Sequence, residues 1–273
     1  MTPSEGAAKA GSARVDEAKS KDPIQVRIRD VHKSYDGVEI LRGVSFDIYR
    51  GLTNVIVGAS GSGKTVFFRQ LIRLEAPDSG TIEVDGVDVV RLNELELSTF
   101  RRKFGMVFQM SALFDSMSVF DNVAFPLREH TKLSRAEIRD KVTHGLEALG
   151  VAHAIDKSPA ELSGGMKKRV AVARALIIEP EILIYDEPTT GLDPLTSRTV
   201  DELIESTRET FGVTSVVISH DMESVFTTGH RISLLYKGKI EVSAERLEFA
   251  RSDNVHVREI LEASGIDISA ATR

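Results

Sequence analysis

Three observations in the 273-residue sequence predict an α/β fold. The first third carries short apolar segments with period-two alternation, the last third alternates buried-type strands with helical spacing, and a glycine-rich run separates a strand from a helix near residue 60. Ile24, Val26 and Ile28 alternate with Gln25, Arg27 and Arg29, as in a half-buried strand. Further strands are expected at 44–48, 53–57 and 81–84, with turns at Asp36-Gly37 and Asp85-Gly86 and a helix beginning at Lys64. The middle is helical. Ser134 and Glu137 form a capping box, Ile138, Val142, Leu146 and Leu149 share one face, and Gly150 ends that helix. A second helix is expected over 163–178, with Val170, Val172, Ala173, Leu176 and Ile177 apolar. Residues 182–185 read as a strand covered on both faces, and 213–219 as another. Between them Val200, Leu203, Ile204, Thr207 and Phe211 follow helical spacing; beyond Val257 the pattern is polar and weak.

Composition narrows the function classes. With 41% hydrophobic residues the chain can bury a substantial core, and without cysteine it has neither disulfides nor cysteine-ligated metal, which fits a reducing compartment. A net charge of −6 lacks the basic excess of a nucleic-acid binder, so no nucleic-acid partner is expected. No segment approaches the ~18 consecutive apolar residues of a membrane span, so any membrane role is expected to come through partner chains. Residues 1–22 lack aromatic side chains and the apolar core of a signal peptide, and are expected to be a disordered tail.

Gly58-Ala59-Ser60-Gly61-Ser62-Gly63-Lys64-Thr65 matches the phosphate-binding pattern G-x-x-x-x-G-K-[ST]. Tight glycine turns converge backbone N–H groups on phosphate oxygens, and the following helix adds its positive end. ATP and Mg²⁺ are the expected cofactors: Lys64 would reach the β- and γ-phosphates, and the Thr65 hydroxyl would ligate the metal. The apolar run 182–185 ends in Asp186, suited to hold Mg²⁺ through water, and Glu187, suited to polarise the attacking water.

Leu162-Ser163-Gly164-Gly165-Met166, lying 20 residues before Asp186, resembles the signature of ATP-binding cassette (ABC) proteins from about residue 24 to 238. The resemblance implies a P-loop NTPase core with a mixed central sheet, an N-terminal antiparallel β subdomain and an inserted α-helical subdomain. It puts the ATPase domain at 23–250, the helical subdomain at about 110–178 and a C-terminal extension at 251–273. It also implies that Tyr35 stacks on adenine, that Gln109 senses Mg²⁺ and water, that Asp193 sits in a loop facing the opposite subunit, and that His220 faces the γ-phosphate. A second copy of the chain would supply 162–166 across each ATP, giving a head-to-tail dimer. This fits the presence of two anion-binding devices, at Gly58 and Ser163, where one nucleotide rarely needs both from the same chain. Val66 stands where the family commonly has Ser or Thr, and Met166 where it has Gln. The first loses a hydroxyl contact to the α-phosphate; the second leaves Ser163 and Gly165 as the γ-phosphate donors.

The spacer 109–127 and the Gly165-Met166 junction resemble the ATPases of bacterial Mla/Mce lipid-transport systems. The implied partners are an integral membrane permease, an Mce-domain substrate-binding protein and a small regulatory subunit, and the implied location is the cytoplasmic face of the bacterial inner membrane. An ATPase of another importer, for amino acids or lipoproteins, is the alternative. A non-transport cassette would need a second cassette, a long coiled coil or basic surfaces. Leu113, Phe114, Met117, Val119, Phe120, Val123 and Phe125 are too apolar for an exposed loop, so part is expected in the core and part in a groove for a permease helix. Lys167, Lys168 and Arg169 read as a solvated helix face.

Overall fold

A computed structural model describes residues 23–266; the tail at 1–22 and the end of the 251–273 extension lie outside the described residues. Strands β1 (Ile24–Tyr35) and β2 (Val38–Tyr49) form a hairpin closed by Asp36 and Gly37, both at positive φ, as a two-residue turn requires. Both strands run longer than the alternation suggested, because register shifts near Ile28, Val31 and Lys33 absorb the breaks in the pattern. After β3 (Thr53–Val57) and α1 (Lys64–Leu71), β4 (Ser79–Val84) and β5 (Val87–Asp88) complete an antiparallel sheet of order β2-β1-β4-β5.

Helix α2 (Glu94–Arg101) and β6 (Phe104–Val107) lead into a helical region, α3 (Val119–His130), α4 (Arg135–Ala148) and α5 (Gly164–Leu176). Ser134 and Glu137 do form the expected capping box on α4, and Gly150 takes φ 70° beyond its end. The chain then alternates β7 (Ile182–Asp186), α6 (Pro194–Phe211), β8 (Thr214–Ser219), α7 (Met222–Thr228) and β9 (Arg231–Tyr236), and ends with β10 (Lys239–Glu245), α8 (Arg246–Ala250) and α9 (Val255–Ser264). The central sheet is mixed. Its order is β10-β9-β3-β8-β7-β6, parallel except for β10 at the edge.

The continuous apolar runs are explained by two cores. Val55 and Val57, Leu183 and Tyr185, and Val217 face the side that carries α3–α7 and α9, whereas Ile56, Ile182 and Ile184, and Val216 and Ile218 face α1, α2 and the antiparallel sheet. A strand buried on both faces has no polar alternation to show.

Three sequence expectations are corrected. Lys168 is buried rather than solvated, because it lies on the helical stripe of Ala171, Val172 and Ala175. The stretch beyond Val257 is not unpatterned: Val257 and Leu261, one helical turn apart on α9, are buried in the larger core. Phe211, placed on the apolar face of α6, remains 38% exposed at the end of that helix.

Candidate functional site

Register decides where the motifs meet. Val57 pairs with Ser219 and Ile218 with Asp186, so the carboxyl ends of β3, β8 and β7 lie side by side. Residues 58–65, His220 and Glu187 follow those ends directly, and Gln109 lies just beyond β6, whose Val107 pairs with Tyr185. Parallel open sheets bind ligands at this edge.

Within the loop, Gly61 and Gly63 take φ 77° and 108°. A Cβ on Gly63 would stand 3.1 Å from Leu41 Cδ2, so glycine is needed for both conformation and fit. Gly63 also leaves α1 without a side-chain cap, so the first-turn N–H groups are available to an anion. Ala59 and Ser60 are exposed, Gly58 is buried, and the buried Ser62 Oγ has no hydrogen-bond partner. The buried Lys64 Nζ donates to the Gly58 and Ala59 carbonyls at 2.7 and 3.2 Å. Thr65 is exposed beside it, while Val66 packs against the core beneath the loop.

Glu187 connects three of these elements. It adopts φ 48°, and its N–H donates to the Ile218 carbonyl at 2.9 Å. Its Oε1 lies 3.6 Å from Lys64 Nζ; its Oε2 accepts from Thr190 Oγ1 at 2.9 Å and lies 2.8 Å from His220 Nδ1. Burial, reinforced by the neighbouring Glu187, pushes the Asp186 carboxyl above its ordinary range, with Lys64 opposing. Two adjoining carboxylates form a pair whose mutual repulsion a hard divalent cation would relieve.

The remaining residues are arranged less directly. Tyr35 is 37% exposed, its hydroxyl donates to Glu75, and Lys33 Nζ stands 5.5 Å from its ring centre. Asp193 caps α6, accepting from the Leu195 and Thr196 N–H groups at 3.1 Å each. Ser163 caps α5 through Met166 N–H at 3.3 Å; Gly164 and Gly165 face open space, and Met166 packs against the core. Leu162 is buried beneath this turn. Among the described residues, no hydrogen bond or ion pair joins 162–166 to 58–66, Asp186, Glu187 or His220. Gln109 exposes its side chain, while its carbonyl accepts from Lys168 Nζ at 2.6 Å.

Sequence reasoning missed Thr190, Lys168 and Asn122. Asn122 is fully buried; it accepts from Phe114 N–H at 2.8 Å and donates to the Phe114, Met117 and Ser118 carbonyls, which ties the spacer to α3. Its spacing from Val119, one turn back, was the available signal for burial.

Comparison with known proteins agrees with this geometry. The family described as ABC transporter matches residues 41–190. The chain is 38% identical to the intermembrane phospholipid transport system ATP-binding protein MlaF of Escherichia coli K12, over 87% of this chain and 88% of that one. It is 37% identical to the probable ribonucleotide transport ATP-binding protein mkl of Mycobacterium leprae, over 89% of this chain and 70% of mkl. Among solved structures it is similar to the dimeric post-hydrolysis state of the ATP-binding cassette MJ0796 bound to ADP and Pi, with a TM-score of 0.71 and 31% identity over 81% of this chain and 98% of that one. A phosphate loop, a carboxylate pair and a histidine on neighbouring strand ends, in a chain so matched, make it a member of the ABC transporter family and one of that family's ATP-binding, ATP-hydrolysing subunits.

Proposed function

We propose that this chain is the motor subunit of a Mla/Mce-type transporter, using ATP to drive phospholipid or another hydrophobic substrate between membranes. The observation that carries the reading is the likeness to MlaF across both chains, within which Lys64, Glu187 and His220 meet at one edge of the sheet. Lys64 would hold the β- and γ-phosphates, leaving the loop carbonyls that it now binds. Glu187, fixed by Thr190 and His220, would take the proton of the attacking water, and His220 would orient the γ-phosphate. Thr65 and Asp186, with Gln109, would hold Mg²⁺, which when bound supplies charge neutralisation on the phosphates. Tyr35 would offer its exposed face to adenine.

Ser163, Gly164 and Gly165 lie open and unconnected to the loop of their own chain, which favours delivery of this turn to the ATP of a second copy. Asp193, capping α6 at an exposed turn, would lie near the same dimer seam.

No helix among the described residues is long and apolar enough to cross a membrane, so membrane attachment would come through an integral permease at the cytoplasmic face of the bacterial inner membrane. A cavity of about 660 Å³ between β6 and the helical region suits a permease helix. Phe104, Phe108, Phe114 and Phe125 line it, with Arg101 and Arg174 among the polar lining residues. An Mce-domain protein and a small regulatory subunit would complete the assembly. Purifying the native complex, reconstituting it in liposomes and supplying labelled phospholipid with an Mce-domain acceptor tests the reading. ATP-dependent lipid transfer is expected. ATP-independent exchange, or co-purification with an amino-acid or ribonucleotide permease, would overturn the cargo assignment.

A further inference from the structure

The loop that leaves β6 is held in a conformation its own residues disfavour. Ser111 and Ala112 take φ 62° and 45°, in the left-handed region that side chains rarely adopt, and Ser111 is buried. Such backbone persists only where its surroundings over-determine it. Here the surroundings are α5. Lys168 Nζ donates to the Gln109 carbonyl at 2.6 Å, and Arg174 donates to the Ala112 and Ser111 carbonyls at 2.8 and 3.1 Å, with its guanidinium 5.7 Å from the Phe114 ring centre. Burial desolvates Lys168 and, in part, Arg174, and among the described residues no carboxylate pairs with either, so the carbonyls are their hydrogen-bond partners. Charge-assisted bonds are stronger than neutral ones, and the buried Lys168 ammonium is left a costly orphan if its bond is broken.

The two ends of this arrangement face different places. Toward its N-terminus α5 begins at Ser163, the exposed Gly164 and the half-buried Gly165; toward the loop, Phe108, Ala112, Phe114 and Arg174 line the 660 Å³ cavity. Gln109 lies between them, its carbonyl held from below and its side chain exposed at the nucleotide edge.

We propose that Lys168 and Arg174 are positioning residues that clamp the 109–112 loop to α5, so that Gln109 and Ser163 move as one body. An occupant of the cavity that displaces Ala112 or Arg174 then shifts both groups together. That last step rests on the permease reading; the clamp itself does not. Among the described residues neither side chain makes a hydrogen bond or ion pair to the phosphate loop, Asp186, Glu187 or His220, so their effect is on geometry at the moment of hydrolysis and not on nucleotide affinity.

The test uses the full chain without any partner. Lys168→Met should lower kcat by about tenfold or more, with KM and the affinity for a fluorescent ADP changed by less than about twofold. Lys168→Arg, which can still reach the carbonyl, should recover kcat to within about threefold of the unmodified chain. Hydrogen exchange at amides 109–114 should quicken in Lys168→Met while amides 214–219 keep their protection. A kcat within about twofold of the unmodified chain, a KM that rises in step with the loss, or unchanged exchange at 109–114 would each overturn the clamp. Should Lys168→Met melt on purification, Lys168→Gln carries the same measurements, since its shorter amide restores only part of the bond and must give an intermediate kcat. In the native complex, Lys168→Met should leave assembly intact, because Lys168 does not line the cavity, yet abolish most of the permease's effect on turnover. An unchanged effect would overturn the coupling, whereas a chain that recruits no permease would refute the permease reading and leave the soluble-chain results standing.

Discussion

His220 Nδ1 lies 2.8 Å from Glu187 Oε2, joining the ends of two adjacent parallel strands, β8 and β7, through their side chains. The contact orients the carboxylate. With Thr190 on the same oxygen and Lys64 facing the other, both carboxylate oxygens of Glu187 have a partner.

Replacing Glu187 by Gln keeps the hydrogen-bonding shape but removes the proton acceptor. Hydrolysis should fall by about 10²-fold or more while ATP binding survives. The trapped nucleotide should hold two chains together, visible by light scattering with ATP and Mg²⁺. Normal turnover in this variant would remove Glu187 from the role of base. Lys64→Ala should also abolish hydrolysis, but without trapping the dimer, since the side-chain cation on the phosphates is gone.

Delivery of the 162–166 turn to the partner's ATP is testable in a mixed dimer of one Lys64→Ala chain and one Ser163→Arg chain. If the turn acts across the dimer, both lesions fall in one site and the other site is whole. If each chain completes its own site, both sites are damaged. One occluded nucleotide per isolated dimer supports the first arrangement, and none supports the second.

Asp201 gives a pH dependence of stability. It is buried on α6, accepts from Ser224 Oγ on α7, and burial pushes its carboxyl up to about 6, helped by Asp221, Glu223 and Glu202. A carboxyl raised above its unfolded value of 3.8 destabilises the fold once ionised. The penalty is absent below about pH 4, grows between about pH 4 and 6 and is complete above it, at roughly 3 kcal/mol. Asp201→Asn should therefore raise the melting temperature at pH 7.5 by about 6–12 °C and by only about a third of that at pH 4.5. Equal shifts at both pH values would contradict this origin.

The spacer phenylalanines should part company. Phe125 lines the cavity and packs on Phe114 at 5.3 Å, whereas Phe120 packs against the core beneath Arg128 and Arg139. Phe125→Asp should reduce recruitment to permease-containing membranes with little change in melting. Phe120→Asp should instead lower the melting temperature, by an amount corresponding to about 2 kcal/mol or more.

Much of this was legible in the residues because strand ends carry the chemistry. The run 53–57 followed by Gly58–Thr65, and 182–185 followed by Asp186 and Glu187, needed only the local pattern. The helix start at Ser134 was equally local, since a capping box is a contact across three residues. What escaped notice depends on distant partners. Lys168 reads as surface until Gln109 is seen above it, and Asn122 reads as polar until four backbone groups of the spacer close around it. Strands β9 and β10 and helix α9 pack on elements far away in sequence, with apolar spacing too short for a periodic signal.

The division of β3, β7 and β8 between two cores makes the central sheet a wall between two compartments of the molecule. Ile56 and Leu183 occupy strands separated only by β8, yet their side chains sit in different compartments, so losses of volume at the two positions should simply add in unfolding free energy. A change of volume in one compartment is thus shielded from the other by a layer of backbone, except at the β6 edge, where Phe104 of one core and Ala175 of the other line the same cavity.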